Sequence, residues 1–307
     1  MRLLVQAPVR IGLFGGGTDI SSYSDFYGGI CINMAINIRQ EFTFYTEGAG
    51  LVIPPNASTS FYKSFLKEFE LDLLIEQNFD GFIHGGLGSS ASAAVCLVSG
   101  LSKLKGQELT RYEIAEKAWD IEVNKIGLFG GKQDQYCATF GGFNLMKFGN
   151  KVELQSIHRG VAENVADHLL LFDTGIRRTE PKLQENLRTI NEEQKQALDM
   201  IKQIANDAYH RIYRGNIKGL GELLDTTWQF KKKSNKVTNP QIDGIYNKAI
   251  GLGAYGGKLN GSGGGGAMTF IAPQDKHKEI IAKMQKIGCR WIDFGGIDWT
   301  GVVTRFL

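Results

Sequence analysis

Cysteine is scarce. Cys31, Cys96, Cys137 and Cys289 lie far apart in 307 residues, and no two have the spacing of a metal knuckle or a redox pair. Reduced thiols in a cytoplasmic protein are the expectation, and the chain is long enough to bury a core without covalent staples. No apolar run approaches the ~20 residues needed to span a bilayer. The opening Met1–Pro8 stretch also lacks the apolar centre of a secretory signal. A strong charge bias is absent too: the net charge is +3, with no long basic stretch. Nucleic acid and membrane are therefore excluded as default partners. The densest cationic run, Lys231-Lys232-Lys233, reads first as a solvated helix C-terminus complementing the helix dipole.

Two common nucleotide fingerprints are also missing. There is no G-x-x-x-x-G-K-[ST]; Gly131-Lys132 is followed by Gln133. Gly12, Gly15, Gly16 and Gly17 do not make G-x-G-x-x-G, which argues against a dinucleotide-binding dehydrogenase. What is abundant is glycine: 39 residues, clustered at 12–17, 85–88, 127–131, 251–257 and 261–266. Clustered glycine marks backbone that turns sharply or approaches a ligand closely.

Apolar alternation predicts strands over 5–14 (broken at Pro8), 29–38, 41–46, 79–83, 142–148, 169–174, 267–272, 290–294 and 299–306. Helical periodicity predicts helices over 58–74, 89–104, 110–125, 181–212, 216–231, 240–252 and 275–287. Thr110 through Glu113 forms a capping-box signature, and Asn239-Pro240 sets an N-cap before a first-turn proline. The second half is richer in long helices, so a domain boundary is expected near residue 165.

Gly85-Gly86-Leu87-Gly88-Ser89-Ser90 precedes an alanine-rich helix. A helix N-terminus offers unpaired N–H groups and partial positive charge, and glycines let a phosphate chain reach them. The alternative is a tight strand-to-helix turn with serine caps. Glu122 falls on the stripe set by Ile114 and Ala118, where an apolar residue is wanted; it is either paired or functional, or it escapes to solvent at the helix end. Asp134, flanked by glycines and amides, could orient or deprotonate a hydroxyl, or cap the next helix. Arg10 and Asp19 bracket the first glycine turn, as site residues or as an ion pair on an exposed hairpin. Four consecutive glycines, 263–266, before a buried strand suggest close approach to a ligand or another backbone.

Three ordered glycine motifs span nearly the whole chain: Ala7-Pro8-Val9-Arg10 through Thr18-Asp19, Gly86 through Ala91, and Lys258 through Gly266. Together with Glu122 and Asp134 they resemble the GHMP kinases. Gly15 to Asp19, Gly130 to Tyr136, Phe140 to Phe143 and Asp173-Thr174-Gly175-Ile176-Arg177 resemble its D-glycero-D-manno-heptose 7-phosphate kinase branch more closely. Galactokinases carry Gly-Glu-His before the matching Thr-Asp; Gly16 and Gly17 replace that Glu-His pair here. Ile83-His84 is another departure, at the loop entrance.

The resemblance implies an α+β fold. Residues 1–165 would form a ribosomal S5 domain 2-like N-terminal domain and residues 166–307 a ferredoxin-like C-terminal domain, with the active site between them. It implies a sugar kinase using ATP and Mg2+. Gly85, Gly86, Leu87, Gly88, Ser89 and Ser90 match the phosphate loop, and Ser90 and Glu122 match magnesium ligands. Asp134 and Arg10 match the catalytic pair. Gly17, Thr18, Asp19, Gly264 and Arg177 match sugar-side positions. The expected acceptor is a sugar or sugar phosphate, specifically the anomeric hydroxyl of the heptose 7-phosphate, with Arg177, Arg178 and Lys231–Lys233 as cations for its phosphate. A fucose- or galactose-type kinase and a non-catalytic sugar sensor are the alternatives, and the chain is expected to be a monomer or homodimer.

Overall fold

The computed structural model describes residues 2–55, 57–79, 85–177, 187–234 and 237–307, the side chains of residues 233 and 234 apart. The N-terminal sheet is built on two long antiparallel strands, β1 (Arg2–Phe14) and β2 (Gly29–Tyr45), with α1 (Ser21–Tyr27) between them. β3 (Gly50–Val52), α2 (Thr59–Glu68) and β4 (Leu74–Asn78) follow, then α3 (Ser89–Leu104) and α4 (Arg111–Asp120). A π-turn, Ile121–Lys125, leads to α5 (Gln133–Phe140), β5 (Phe143–Phe148), β6 (Glu153–Ser156) and α6 (Arg159–Ala166). The sheet order is β11-β1-β2-β4-β3, with β5 on β2 and β6 on β5. β11 (Val303–Phe306) is the last strand of the chain, so the C-terminus returns to pair with β1.

The second sheet holds β7 (Leu169–Asp173), β8 (Gly256–Leu259), β9 (Ala267–Ile271) and β10 (Arg290–Trp291) in the order β10-β7-β9-β8. All its neighbours are antiparallel. α7 (Glu192–Tyr213), α8 (Ile217–Ser234) and α9 (Pro240–Gly251) lie between the first two of these strands in sequence, and α10 (His277–Lys286) lies between the last two. Strand order 4-1-3-2 with helical crossovers is the ferredoxin-like split βαβ arrangement, so the α+β fold read from the sequence is the one observed.

β1 is continuous through Pro8. The register against β2 slips there, Pro8 facing Arg39 and Val9 facing Ile36. A bulge tolerates proline's missing N–H and re-aims the residues beyond it. Leu3, Val5 and Ala7 belong to the cluster beneath α2, α3 and α4, with Phe42, Phe44, Phe65 and Val98. Val9, Ile11 and Leu13 belong instead to the cluster shared with α6, α7 and α8. The slip thereby aims Arg10 at the loop before α3.

Several predicted spans shift. The 29–38 and 41–46 strands are one strand. The 58–74 helix ends at Glu68, and its last residue, Leu74, opens β4. The 110–125 helix gives way to the π-turn. The helix expected from residue 181 starts at Glu192, where Asn191 and Gln194 form a capping box; residues 178–186 lie outside the described ones, as do most of the 79–83 strand and Ile83-His84. β3, β6, β8, α1 and α6 carry too few periodic residues to stand out in the sequence.

Candidate active site

α3 begins at Gly88, a left-handed residue that supplies no side-chain cap. The first N–H groups of an alanine-rich, 16-residue helix therefore face the loop without a side-chain competitor, the arrangement that suits an anion. The loop is fixed from both sides. Arg10 N–H donates to Leu87 O (2.9 Å) and Arg10 Nη1 to Gly86 O (2.6 Å), and Gln40 Nε2 donates to Ser89 O. From the C-terminal half, Ala267 N–H donates to Gly85 O (2.8 Å). This contact needs glycine at 266: a Cβ there would lie 2.6 Å from Gly85 O. Gly266 is held in turn by Thr174, whose N–H and Oγ1 both donate to Gly266 O, and by its own N–H to Ile176 O. The third glycine motif and the Asp173–Arg177 segment thus brace the loop.

Asp134 lies in the first turn of α5 and does not cap it. Arg10 grips it in a fork, Nε to Oδ1 at 2.7 Å and Nη2 to Oδ2 at 2.6 Å. Burial alone would depress the Arg10 guanidinium, but the Asp134 charge overrides it and holds Arg10 above its ordinary value. A bidentate pair of this kind fixes both side chains. Gly88 adjoins it: a Cβ there would sit 3.3 Å from both Asp134 Oδ2 and Arg10 Cγ. The loop that suits phosphate and the carboxylate that suits a hydroxyl are therefore in contact. The Arg10–Asp19 ion pair considered from sequence is not formed.

Asp19 is buried and bonded entirely within the protein. It accepts from Gly17 N–H, Gln133 N–H and Gln133 Nε2 at 3.2, 3.1 and 2.9 Å. Burial, then the Asp134 charge, pushes its carboxyl up. Gly131 must be glycine, since a Cβ would come within 1.9 Å of Asp19 Oδ2. Thr18 is buried as well, its one hydroxyl proton shared between Gly15 O and Ile30 O at 2.9 and 3.0 Å. These two residues shape the first glycine turn against α5. Gln133, which the sequence did not single out, is the hub: it bridges Asp19 and Asn33 Nδ2 (3.0 Å). The loop before α5 is anchored by Lys132, which pairs with Glu116 (2.7 Å) and covers the Trp119 ring.

Glu122 is 4 % exposed, so of the two readings that the Ile114–Ala118 stripe left open, the buried and paired one holds and the escape to solvent does not. The π-turn carries it; such turns recur where a side chain must be re-aimed at a site. Ser90 Oγ donates to Oε1, and Gln135 Nε2 donates to Oε2 (2.7 Å). Burial pushes its carboxyl up to about 7, against the pull of these two hydrogen bonds. Among the described residues no cation pairs with it and no group of three or more His, Cys, Asp or Glu could cage a metal. A hydroxyl and a carboxylate on one uncompensated charge fit a magnesium ion, which keeps waters and takes phosphate oxygens as its other ligands.

Gly17 and Lys231 line a small cavity with Gly16, Leu198, Val237 and Ser262. Gly264 bonds to Val237 O (2.8 Å), at the rim of this region. Arg177 is 61 % exposed on its side chain and paired with Asp173 (2.9 Å), so it is not brought to the Arg10–Asp134 fork. Lys232 pairs with Asp243; Arg178 and the Lys233 side chain lie outside the described residues.

The chain matches the GHMP kinases N-terminal domain over residues 56–142 and the GHMP kinases C-terminal domain over residues 200–288. It is 31% identical to a D-glycero-alpha-D-manno-heptose 7-phosphate kinase of Campylobacter jejuni, over 92% of both chains. The chain belongs to the GHMP kinase family. It is a sugar kinase of that family, a phosphotransferase with a sugar hydroxyl as acceptor. Among solved structures, a D-glycero-D-manno-heptose 1-phosphate kinase from Bacteroides thetaiotaomicron superposes with a TM-score of 0.80 at 25% identity, covering 99% of each chain. A structure described as a sugar kinase from Campylobacter jejuni gives 0.77 at 29%, covering 99% of this chain and 98% of that one. No helix among the described residues is long and apolar enough to cross a membrane.

Proposed function

We propose that this GHMP kinase transfers the γ-phosphoryl group of ATP to the anomeric hydroxyl of D-glycero-D-manno-heptose 7-phosphate or a closely related sugar phosphate. The contact of Gly88 with the Arg10–Asp134 fork carries this reading, because it sets acceptor activation against the phosphate loop. The relatives named for heptose phosphates support the sugar.

The helix α3 N-terminus and Gly85 to Ser90 would hold the phosphates. Ser90 and Glu122 would hold a magnesium ion, which when bound supplies positive charge to the β- and γ-phosphates. Asp134 accepts a hydrogen bond from the attacking hydroxyl and orients it; Arg10 holds that carboxylate in place through the two-point fork, and its charge offsets the oxygens in transfer. Phosphoryl transfer needs mainly such positioning and electrostatics. Gly12, Gly16 and Gly17 form a floor without side chains for the sugar, where a galactokinase's Glu-His would stand. We take the chain to divide into two units near residue 165, with β11 lent to the first.

ATP consumption with a panel of sugars and sugar phosphates tests the acceptor. Turnover should be confined to heptose phosphates. Activity restricted to an unphosphorylated hexose, fucose or galactose would contradict the heptose assignment, and no turnover with any acceptor would favour a sensor.

A further inference from the structure

Asp19, the sugar-side aspartate expected from the sequence, is turned inward. It is buried, its Oδ1 accepts from Gly17 N–H and Gln133 Nε2, and its Oδ2 accepts from Gln133 N–H. Each oxygen thus receives a backbone N–H. Both are acceptors, so the side-chain amide atom of Gln133 that meets Oδ1 must be a donor. This fixes Gln133 with Nε2 toward Asp19 and Oε1 away from it. Oε1 in turn accepts from Asn33 Nδ2 at 3.0 Å, which leaves Asn33 Oδ1 at the far end of the relay. That oxygen is buried and has no hydrogen-bond partner among the described residues. A buried acceptor left without a donor is costly.

The unused hydrogen-bonding capacity collects at the glycine floor. An amide NH2 has two donors and its carbonyl oxygen two lone pairs. Asp19 takes one donor of Gln133 and Asn33 takes one lone pair, so one of each remains. Gly12, Gly16 and Gln133 are only partly buried, unlike Asp19 and Asn33. A Cβ at Gly12 would lie 3.3 Å from Asn33 Oδ1 and 3.7 Å from Arg10 Nε and Gln133 Oε1; one at Gly16 would lie 3.6 Å from Gln133 Nε2. The missing side chains therefore leave the Gln133 amide uncovered. The point above Gly12 is tight for a carbon and suits an oxygen, which hydrogen-bonds at about 2.8 Å. Arg10 Nε is itself bonded to Asp134 Oδ1 at 2.7 Å, so this point adjoins the carboxylate that meets the attacking hydroxyl.

We propose that Gln133 is a specificity-determining residue: its spare N–H and lone pair read the acceptor hydroxyl on the carbon next to the one phosphorylated, and Asp19 acts only through it. This rests on the reading of Asp134 as the group that orients the attacking hydroxyl. A hydroxyl both donates and accepts, so an amide offering one of each in a fixed orientation matches it. Gln133 and Asp134 are consecutive, and each is pinned, the first by Asp19 and the second by the Arg10 fork. Hydroxyls on neighbouring carbons are thereby held together. A hydroxyl at the floor also supplies the donor that the Asn33 and Gln133 oxygens lack. A sugar without it leaves polar groups of the site unpaired, the condition under which a site discriminates strongly.

Steady-state kinetics of wild type, Gln133→Met and Asp19→Asn test this, with D-glycero-D-manno-heptose 7-phosphate and its 2-deoxy analogue as acceptors. Wild type should prefer the parent sugar by about 100-fold or more in kcat/KM. Gln133→Met keeps the side-chain length and removes both polar atoms. It should lose about as much with the parent sugar and use the two acceptors within about threefold of each other. Asp19→Asn sets an NH2 group against a donor, loosens Gln133, and should bring the preference between these limits. An unliganded melting temperature close to wild type reports an intact fold. Equal slowing with both acceptors, the preference intact, would make Gln133 a packing residue beside Asp134 and overturn the proposal, as would unchanged kinetics. Wild type that uses the 2-deoxy acceptor as well as the parent overturns it without any variant. If the heptose phosphate is rejected and another sugar of the panel is turned over, the acceptor assignment fails alone. The same comparison on that sugar and its analogue lacking the neighbouring hydroxyl then decides Gln133. No turnover of any sugar removes both.

Discussion

Glu122 shows how one residue couples stability to function. Its carboxyl, ordinarily near 4.5, is pushed to about 7 by burial. The folded state therefore holds this proton more tightly than the unfolded chain. Stability from this group is full below about pH 4.5 and is lost as pH rises through about 7. Glu122→Gln keeps a partner for Ser90 and removes the charge. It should raise the metal-free melting temperature at pH 8, by the equivalent of roughly 2–3 kcal/mol at most, and should leave no effect at pH 4.5. The same variant should lower turnover by at least about 100-fold if the carboxylate is a metal ligand. The concentration of Mg2+ that half-activates the wild-type enzyme should rise as pH falls below about 7, since proton and metal compete for one carboxylate. A flat pH profile for half-activation would remove Glu122 from the metal site.

Between elements, the brace on the phosphate loop runs Thr174, Gly266, Gly85. Gly266→Ala would drive a Cβ to 2.6 Å from Gly85 O at a φ of +94°. It should raise KM for ATP by about tenfold or more while binding of the sugar changes little; an unchanged KM for ATP would show that the loop is held without its C-terminal brace. How much of this was legible in the sequence depends on the range of the interaction. The caps at Thr110 and Asn239 are local and appear in the structure as read; the Ile114–Ala118–Glu122 stripe is local too, and the structure decides between its two readings by burying Glu122. The bulge at Pro8 and the π-turn under Glu122 are not local: each is a compromise with packing that alternation and helical periodicity do not encode. The Arg10–Asp134 fork joins residues 124 apart, and their shared role was visible only through the motif order. Lys258 was in view as the first residue of the third glycine motif, but its burial follows from β8, a strand too short and glycine-rich to be read. Gln133 likewise stood inside a quoted motif; only the folded turn shows it joining Asp19 to Asn33.

At the scale of the molecule, the chain closes on itself. β11 pairs Val303 through Phe306 with Gln6 through Leu3 of β1, so the N-terminal sheet takes in a strand from far along the chain. Deleting 303–307 would bare the outer edge of β1, beside the buried Leu3 and Val5. That deletion should lower the melting temperature by several degrees or more, since four ladder pairs and their packing are lost. It should also promote aggregation through the exposed edge. Residues 1–165 expressed alone should behave the same way, and a stable, monodisperse 1–165 fragment would show that β11 contributes little. Both halves also meet at the phosphate loop, through Ala267 and Gly85.

The central claim is that Asp134, held by Arg10 beside the phosphate loop, directs a sugar hydroxyl onto ATP. The most direct test is 31P NMR of wild type and Asp134→Asn with Mg2+, ATP and heptose 7-phosphate. Wild type should yield ADP and a second sugar phosphate signal at the anomeric position. Asp134→Asn should still bind ATP but form that product at least about 100-fold more slowly. Formation of the same product at the wild-type rate by Asp134→Asn would contradict the account.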